Sequence, residues 1–250
     1  MTGPTSSPID TPGTPEELWR RWSGWEHFPA LDLTGVRSAV VIAPHPDDEV
    51  LALGGTLARL ARTGARVRLV AVTDGETSHP RSATLTPGRV ADVRIAETSE
   101  ALQRLGLGDA EVVRLGIPDT RIARHESALV ARLTRLVEGF DLCLAPWRGD
   151  AHADHEAAGR AARRACRERA VRLATYPVAM WHWAAPDDPR VPWDTAAAVP
   201  LDDRERAAKT AAVACFTSQL WPAGPGPEET AILPPQEVAH FDREVEVVFR

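Results

Sequence analysis

Imidazole and carboxylate side chains follow two apolar stretches of this sequence that lie far apart in the chain. Residues 40–43 lead directly into Pro44-His45-Pro46-Asp47-Asp48-Glu49, and the apolar run at 140–145 precedes His152-Ala153-Asp154-His155. Histidine nitrogen and aspartate oxygen are ligands that zinc accepts, and a catalytic zinc site has three protein ligands with one position open. His45 with Asp47 or Asp48 supplies two, so the second group must supply the third.

The predicted zinc ligands are His45, Asp48 and His155. Successive residues in a loop point apart, so Asp47 can face the water in the open position and accept its proton as a general base. His152 can approach from the opposite side, where it would stabilise an oxyanion and protonate a departing amine. Asp154 is predicted to orient an imidazole, that of either His152 or His155.

The elements that position these residues alternate between strand and helix. Strands are predicted at 38–43, 66–73, 111–115, 140–145 and 172–178, and helices at 49–62, 87–105, 126–137 and 153–169. Such alternation implies right-handed crossovers and a mainly parallel sheet. The predicted fold is an α/β, Rossmann-like three-layer sandwich, in which both polar loops follow strands at the same edge of the sheet.

The remaining segments are predicted with less regular structure. Residues 1–13 are predicted to form a flexible tail, and 14–250 a single domain. Trp19, Trp22 and Trp25 recur at roughly helical spacing, which indicates a docking face against the domain or, alternatively, a substrate or subunit contact. Residues 180–200 are predicted to be an irregular surface insertion, residues 202–213 a helix, and 244–249 an antiparallel C-terminal edge strand.

Composition narrows the class of protein. The net charge of −6 over 250 residues gives no basic footprint for nucleic acid. No apolar run reaches the roughly 18 residues of a membrane-spanning helix. The first residues lack the basic and apolar regions of a signal peptide, and three widely spaced cysteines fit reduced thiols. We therefore expect a cytoplasmic enzyme.

The two polar motifs resemble those of the LmbE-like, or PIG-L, family of zinc-dependent N-deacetylases. The resemblance extends from about Ser38 to Gln219 and includes Thr73-Asp74-Gly75-Glu76, Arg94 with Glu97, Leu105-Gly106, and Lys209 leading to Ser218-Gln219. It implies a Rossmann-like fold and removal of an acetyl group from an N-acetylated amino sugar. It also implies zinc at His45, Asp48 and His155, Asp47 as base, and His152 as acid or oxyanion partner.

The same resemblance predicts substrate contacts, and two alternative functions stay open beside it. Polar residues after the second strand would contact the sugar, and the candidates are Glu76, Arg81 and Arg89. A second hypothesis keeps the metal but makes the substrate a larger N-acyl, thiol-conjugate or natural-product amide. A third, a non-catalytic sugar- or nucleotide-binding module, is disfavoured because the first strand-to-helix turn has no glycine-rich fingerprint. Iron, cobalt or manganese could replace zinc.

Overall fold

The computed structural model of the chain describes residue 9 and residues 12–82, 84–226 and 229–250. Its strands are β1 (Ser38–Ala43), β2 (Arg66–Ala71), β3 (Glu111–Arg114), β4 (Leu142–Pro146), β5 (Arg172–Tyr176), β6 (Ala196–Pro200) and β7 (Val245–Phe249). Within the described residues they form one seven-stranded mixed sheet in the order β3-β2-β1-β4-β5-β7-β6.

Helices cover both faces of this sheet. They are α1 (Glu16–Arg20), α2 (Asp48–Arg62), α3 (Pro87–Arg104), α4 (Glu126–Leu136), α5 (Ala153–Arg169), α6 (Met180–Trp183), α7 (Asp203–Val213), α8 (Thr217–Leu220) and α9 (Pro235–Val238). Alternate residues of β1 join separate cores: Val41 packs with α2, α3 and α7, whereas Val40 and Ile42 pack with α4 and α5. The predicted three-layer α/β sandwich is therefore confirmed.

The sheet places the two polar loops side by side. β1 pairs in parallel with β2 and with β4, and Val41 lies opposite Leu144 in the second pair. From β1 the chain proceeds to β2 and β3 on one side, and from β4 it proceeds to β5 on the other. The strand order therefore reverses between β1 and β4, where the loops at the carboxyl ends of the strands leave a crevice open to ligands.

Two sequence predictions about the C-terminal third are wrong. Residues 180–200 are not a surface insertion: they contain α6 and β6, and Met180, Trp181 and Ala196 to Val199 are buried. β7 is antiparallel as predicted, but it lies between β5 and β6, so β6 forms the edge. The polar residue of β7, Glu246, is buried and accepts hydrogen bonds from the Gly55 and Thr56 amides at 2.8 Å, so its polarity does not mark an exposed face.

The tryptophans near the N-terminus form a docking face, as predicted. Trp19 is fully buried, packs edge-to-face on Trp181 with 5.1 Å between ring centroids, and donates a hydrogen bond to the Trp181 carbonyl. The Arg243 guanidinium lies 4.2 Å from the centroid of the Trp181 ring, close enough for a cation–π contact. Leu18, in the same helix, stays half exposed. The aromatic cluster thus joins α1 to α6 and to the chain before β7.

An acidic residue at the base of this cluster links stability to pH. Glu16 is buried and accepts hydrogen bonds from Arg243 Nε at 2.9 Å and from His240 Nδ1 at 2.8 Å. Burial raises the pKa of Glu16, but hydrogen bonds from Arg243 and His240 outweigh it and lower the pKa to about 2. Because the folded-state pKa lies below the unfolded one, this contribution to stability is complete above about pH 4.5 and is lost as the pH falls towards 2.

We therefore expect Glu16→Gln to lower the free energy of unfolding by about 1.5–3 kcal/mol at neutral pH and to flatten its acid dependence. Glu17→Gln, at an exposed neighbouring carboxylate, is the matched control and should change neither. Denaturant unfolding at pH 7 and at pH 3 measures both effects. An acid dependence as steep in Glu16→Gln as in the wild type would show that Glu16 is not the responsible group.

Three further findings bear on the sequence predictions. The predicted tail, residues 1–13, lies outside the described residues except for positions 9, 12 and 13. Among the helices of the described segments, none has the length and apolar character needed to cross a bilayer. The three cysteines, Cys143, Cys166 and Cys215, are buried and free.

Candidate metal centre and active site

The loop after β1 presents two adjacent aspartates in different directions. The Asp48 carboxylate turns back and accepts the His45 backbone N–H at 3.0 Å, while α2 begins at Asp48 itself. Asp47 has a backbone φ of 117°, a conformation that non-glycine residues rarely adopt. Such strain persists only where the surroundings fix it, which is typical of functional sites. The kink separates the side chains of Asp47 and Asp48.

Three donor atoms from the two motifs form a nearly equilateral triangle. His45 Nδ1 lies 3.2 Å from Asp48 Oδ2 and 3.2 Å from His155 Nε2, and His155 Nε2 lies 3.3 Å from Asp48 Oδ2. In a tetrahedral site with bonds of about 2.0–2.1 Å, ligand atoms are about 3.3–3.4 Å apart. These atoms, which we call the donor triangle, therefore fit one face of a metal tetrahedron and leave its fourth position free for a ligand.

The charges around the donor triangle also favour a cation. Burial lowers the pKa of His155, but the carboxylates of Asp48 and Asp150 outweigh it and raise the pKa to about 9. Burial acts likewise on His45, yet hydrogen bonds to Asp119, Asp154 and Asp48 raise its pKa well above the usual range. A site that stabilises positive charge on one buried and one partly buried imidazole provides the electrostatic environment that a divalent metal needs.

Two further carboxylates lie near Nε2 of His45, the ring nitrogen that is not part of the donor triangle. His45 Nε2 lies 3.2 Å from Asp119 Oδ1 and 3.5 Å from Asp154 Oδ2. Both acids are already engaged, since Asp119 accepts the Thr77 hydroxyl at 2.7 Å and Asp154 accepts the Thr120 backbone N–H at 2.8 Å. These atoms could themselves hold a metal, but their geometry suits a hydrogen bond from Nε2–H, which leaves Nδ1 to bind the metal.

Asp150 supports His155 and was not predicted from the sequence. Its Oδ2 lies 2.6 Å from His155 Nδ1, and its two oxygens accept backbone N–H groups from residues 178–180 at 2.9–3.1 Å. Asp154, which we expected to orient His152 or His155, hydrogen-bonds with neither ring in the described part of the chain. The reason is its position in the first turn of α5, where its carboxylate accepts the amides of Thr120 and Ile122.

We expect Asp150→Asn to reduce metal affinity about 10–100-fold, the usual cost of removing the partner that orients a ligating histidine. Asp141→Asn is the matched control, because Asp141 also accepts two backbone amides but lies at the opposite end of β4. Competition with a chelator of known affinity measures the change. An equal loss of metal affinity in both variants would show that Asp150 stabilises the fold in general rather than the metal site in particular.

Asp47 stands beside the donor triangle but outside it. Its Oδ2 accepts a hydrogen bond from Arg94 Nη2 at 2.9 Å, and Arg94 also donates to the carbonyls of Pro46 and Gly75. Burial raises the pKa of Asp47 to about 7, with Arg94 opposing and the Asp48 charge adding to the rise. A carboxyl with this pKa can both accept and release a proton near neutral pH.

His152 faces the same space as an unprotonated imidazole. Its ring centroid lies 4.4 Å from that of His155 and 5.0 Å from that of His45. Burial, and then the charges of His155 and His45, lower the pKa of His152 to about 3. Its Nδ1 is buried without a hydrogen-bond partner among the described residues. His152 is therefore neutral at pH 7, and its Nδ1 is available for a hydrogen bond with a ligand.

A cavity of about 670 Å³ opens over these groups. This volume lies within the range of small-molecule sites, about 300–1,000 Å³. Its polar lining includes Thr77, Asp119 and Gln219, and its apolar lining includes Leu233 and Phe241. The cavity therefore offers polar groups for an oriented ligand and an apolar wall on the side of the C-terminal segment.

The structure does not bring the predicted substrate contacts to this cavity. Glu76, Arg81 and Arg89 are absent from the described residues that line it. Glu76 Oε1 instead accepts the Asp119 backbone N–H at 2.8 Å, and Arg89 lies exposed in the first turn of α3. The neighbouring Thr77 and Ser78 do line the cavity, so this loop reaches it through side chains other than the three predicted ones.

Gln219 lines the cavity with a side chain of fixed orientation. The Glu97 carboxylate accepts the Ser218 hydroxyl at 2.7 Å, and Ser218 Oγ lies 2.8 Å from Gln219 Nε2. Because a serine hydroxyl has only one hydrogen, Ser218 Oγ must accept from the Gln219 amide. Gln219 is 1% exposed and part of the cavity wall. No role was predicted for Gln219, although Arg94 with Glu97 and Ser218-Gln219 both belong to the resemblance.

Comparison with known proteins places this site in a family. The family described as PIG-L, GlcNAc-PI de-N-acetylase, matches residues 40–166, just over half of the chain. A 1D-myo-inositol 2-acetamido-2-deoxy-alpha-D-glucopyranoside deacetylase of Catenulispora acidiphila is 37% identical over 87 residues, 32% of this chain and 27% of the relative. A diacetylchitobiose deacetylase of Thermococcus kodakarensis is 31% identical over 128 residues, 50% of this chain and 47% of the relative.

Among solved structures, the antimicrobial A40926 pseudoaglycone deacetylase aligns with a TM-score of 0.60 and 23% identity, covering 86% of this chain and 96% of that one. This likeness shows a shared fold. The chain spans less than half the length of the two curated relatives in their alignments. The range matched by the family contains every atom of the donor triangle.

Proposed function

Because the chain belongs to the PIG-L family, we propose that it is a zinc-dependent hydrolase that removes the acetyl group from an N-acetylamino sugar or a related small metabolite. The observation that carries this proposal is the donor triangle with Asp47 beside it. Three ligand atoms at tetrahedral spacing, next to a carboxyl with a pKa of about 7, are the parts that hydrolysis of an amide by water requires.

His45, Asp48 and His155 would hold the zinc, and Asp119 and Asp150 would hold the two imidazoles in place. When bound, zinc supplies a Lewis acid that polarises the amide carbonyl and acidifies a water molecule. The neutral and anionic ligand types also suit Fe²⁺ or Co²⁺. Reloading the metal-free protein with each ion separately would establish which one supports turnover.

Two side chains act on protons and charge during the reaction. Asp47 accepts a proton from the attacking water and later releases it to the nitrogen of the departing amine. His152 donates an N–H hydrogen bond to the carbonyl oxygen as negative charge develops there. We assign the amine proton to Asp47 rather than His152, because the buried position of His152 disfavours the imidazolium that an acid would require.

The proposed substrate class is a small N-acetylated sugar derivative. The relatives named above act on a GlcNAc-inositol and on diacetylchitobiose, and a cavity of about 670 Å³ has room for a sugar of one or two rings. Thr77, Asp119 and Gln219 supply polar atoms for its hydroxyl groups. We further propose that residues 14–250 work as one domain, and the buried free thiols suggest a reducing compartment.

Acetate release tests the proposal. Purified protein loaded with one equivalent of zinc is incubated with N-acetylglucosamine and with N,N′-diacetylchitobiose, with and without a chelator. We expect acetate and free amine in equal amounts, inhibition by the chelator and recovery on adding zinc. Acetate release that persists after the metal has been removed would contradict the metal mechanism, and no release from either sugar by the zinc-loaded protein would contradict the substrate class.

A further inference from the structure

A second cavity borders the active-site cavity. Its volume is about 420 Å³, and it lies between α7, α9 and the residues that follow α8. Leu233 and Phe241 line both cavities. The two spaces are therefore neighbours across these apolar side chains, and a group attached to a sugar in the active site could cross from one to the other.

The wall of the second cavity is mainly apolar and carries an unusually exposed indole. Val213, Leu220 and Val238 line it together with Trp221. Trp221 is 66% exposed, more than any other large hydrophobic side chain of the described residues. On the active-site side, Ile232 is 43% exposed and continues this apolar surface. Contiguous exposed apolar surface of this kind is typical of binding sites, and an indole offers a stacking face.

The three cations that line the second cavity already have carboxylate partners within the protein, and the fourth charged residue of its lining, Asp242, is an acid. Lys209 pairs with Glu246 at 2.9 Å, Arg243 with Glu16 at 2.5 Å, and Arg206 with Glu244 at 3.0 Å. Each of these three cations is paired with its own carboxylate. They therefore give the cavity little affinity for an anionic ligand such as a phosphate. Its chemistry fits a neutral, apolar occupant.

We propose that the second cavity is a subsite for the apolar aglycone of the amino sugar, a hydrocarbon chain or an aromatic ring linked to the sugar that lies in the active site. This inference rests on the proposed function and narrows its substrate class. The shared wall of Leu233 and Phe241 provides the continuity, Trp221 provides the contact surface, and the pairing of the cations with carboxylates disfavours an anionic group. It predicts that substrates with an apolar aglycone are preferred over the free sugar.

A pair of glycosides tests the subsite. The methyl and hexyl glycosides of N-acetylglucosamine carry the same amide and differ only in aglycone. We expect the hexyl compound to have a kcat/KM at least about tenfold higher, mainly through KM, because even two buried methylene groups supply that factor. Trp221→Ala removes the indole, and Thr210→Trp fills the cavity from an exposed position on α7. Both should reduce the hexyl-to-methyl ratio to about one.

Val112→Ala is the matched control, since Val112 is also an exposed apolar residue but lies on β3 at the far edge of the sheet. It should leave the ratio unchanged. Calorimetric binding of the two glycosides to zinc-loaded Asp47→Asn protein gives a second readout that needs no turnover. If neither glycoside releases acetate from the wild type, the proposed function fails, and the binding ratio still decides the subsite.

Equal kcat/KM values and equal binding of the two glycosides would overturn the subsite even with full deacetylase activity. The subsite would also be overturned if both Trp221→Ala and Thr210→Trp kept the wild-type preference for the hexyl glycoside. Sedimentation analysis of the same proteins addresses the other occupant of an apolar surface. A wild-type dimer that Trp221→Ala converts to a monomer, with an unchanged glycoside ratio, would identify the surface as a contact between two copies of the chain.

Discussion

Asp47→Asn is expected to lower kcat by about 10²–10⁴-fold while zinc binding stays intact. The side chain of Asp47 is not part of the donor triangle, and its contact is with Arg94. An asparagine oxygen can still accept that hydrogen bond, and asparagine tolerates a positive φ better than most residues, so the loop should keep its shape. What the variant loses is the ability to take a proton from water.

The measurement pairs steady-state kinetics with metal content. Asp74→Asn is the matched control, because Asp74 also follows a parallel strand but pairs with the exposed Arg114 at 2.6 Å. It should retain wild-type activity and zinc. If Asp47→Asn lost zinc to the same extent as a ligand variant, the division between Asp47 as base and Asp48 as ligand would be wrong.

His155→Ala should abolish both zinc retention and turnover. This change removes one vertex of the donor triangle and leaves the buried Asp150 carboxylate without its imidazole partner. The loss of metal affinity should exceed the roughly 10–100-fold expected for a supporting residue such as Asp150. Zinc stoichiometry after dialysis and acetate release from the same sample measure the two effects.

His125→Ala is the control for this variant, since His125 is exposed at the start of α4 and lies outside the site. Circular dichroism should show native secondary structure in both proteins, so that loss of metal is separated from loss of fold. A His155→Ala protein that still binds one equivalent of zinc as tightly as the wild type would remove His155 from the ligand set.

The main features of the site could be predicted because they depend on strand ends. An apolar run that stops at a charged loop marks the carboxyl end of a buried strand, and parallel strands bring such ends to one edge. That rule placed His45, Asp48 and His155 together before any tertiary contact was known. Asp119 and Asp150 could not be found in this way, because each is a single acid in a loop whose role depends on long-range contacts.

The C-terminal third shows where local pattern fails. β6 contains Ala196-Ala197-Ala198, and alanine has low strand propensity, so the strand is stabilised by pairing with β7 rather than by its own sequence. Because of Glu246, the sequence of β7 alternates between polar and apolar residues, as in a half-exposed strand. In the structure the Glu246 carboxylate is inside the protein, where it pairs with Lys209 and accepts hydrogen bonds from Gly55 and Thr56. The formation of β6 and the burial of Glu246 therefore both depend on contacts with residues far away in the sequence.

Anomalous diffraction at the zinc absorption edge, from crystals of the zinc-loaded protein, tests the central claim most directly. We predict one strong peak about 2.0–2.1 Å from each of three atoms, His45 Nδ1, Asp48 Oδ2 and His155 Nε2. A peak on the other side of the His45 ring, between its Nε2 and the carboxylates of Asp119 and Asp154, would contradict the account. So would a fully loaded protein with no peak at either position.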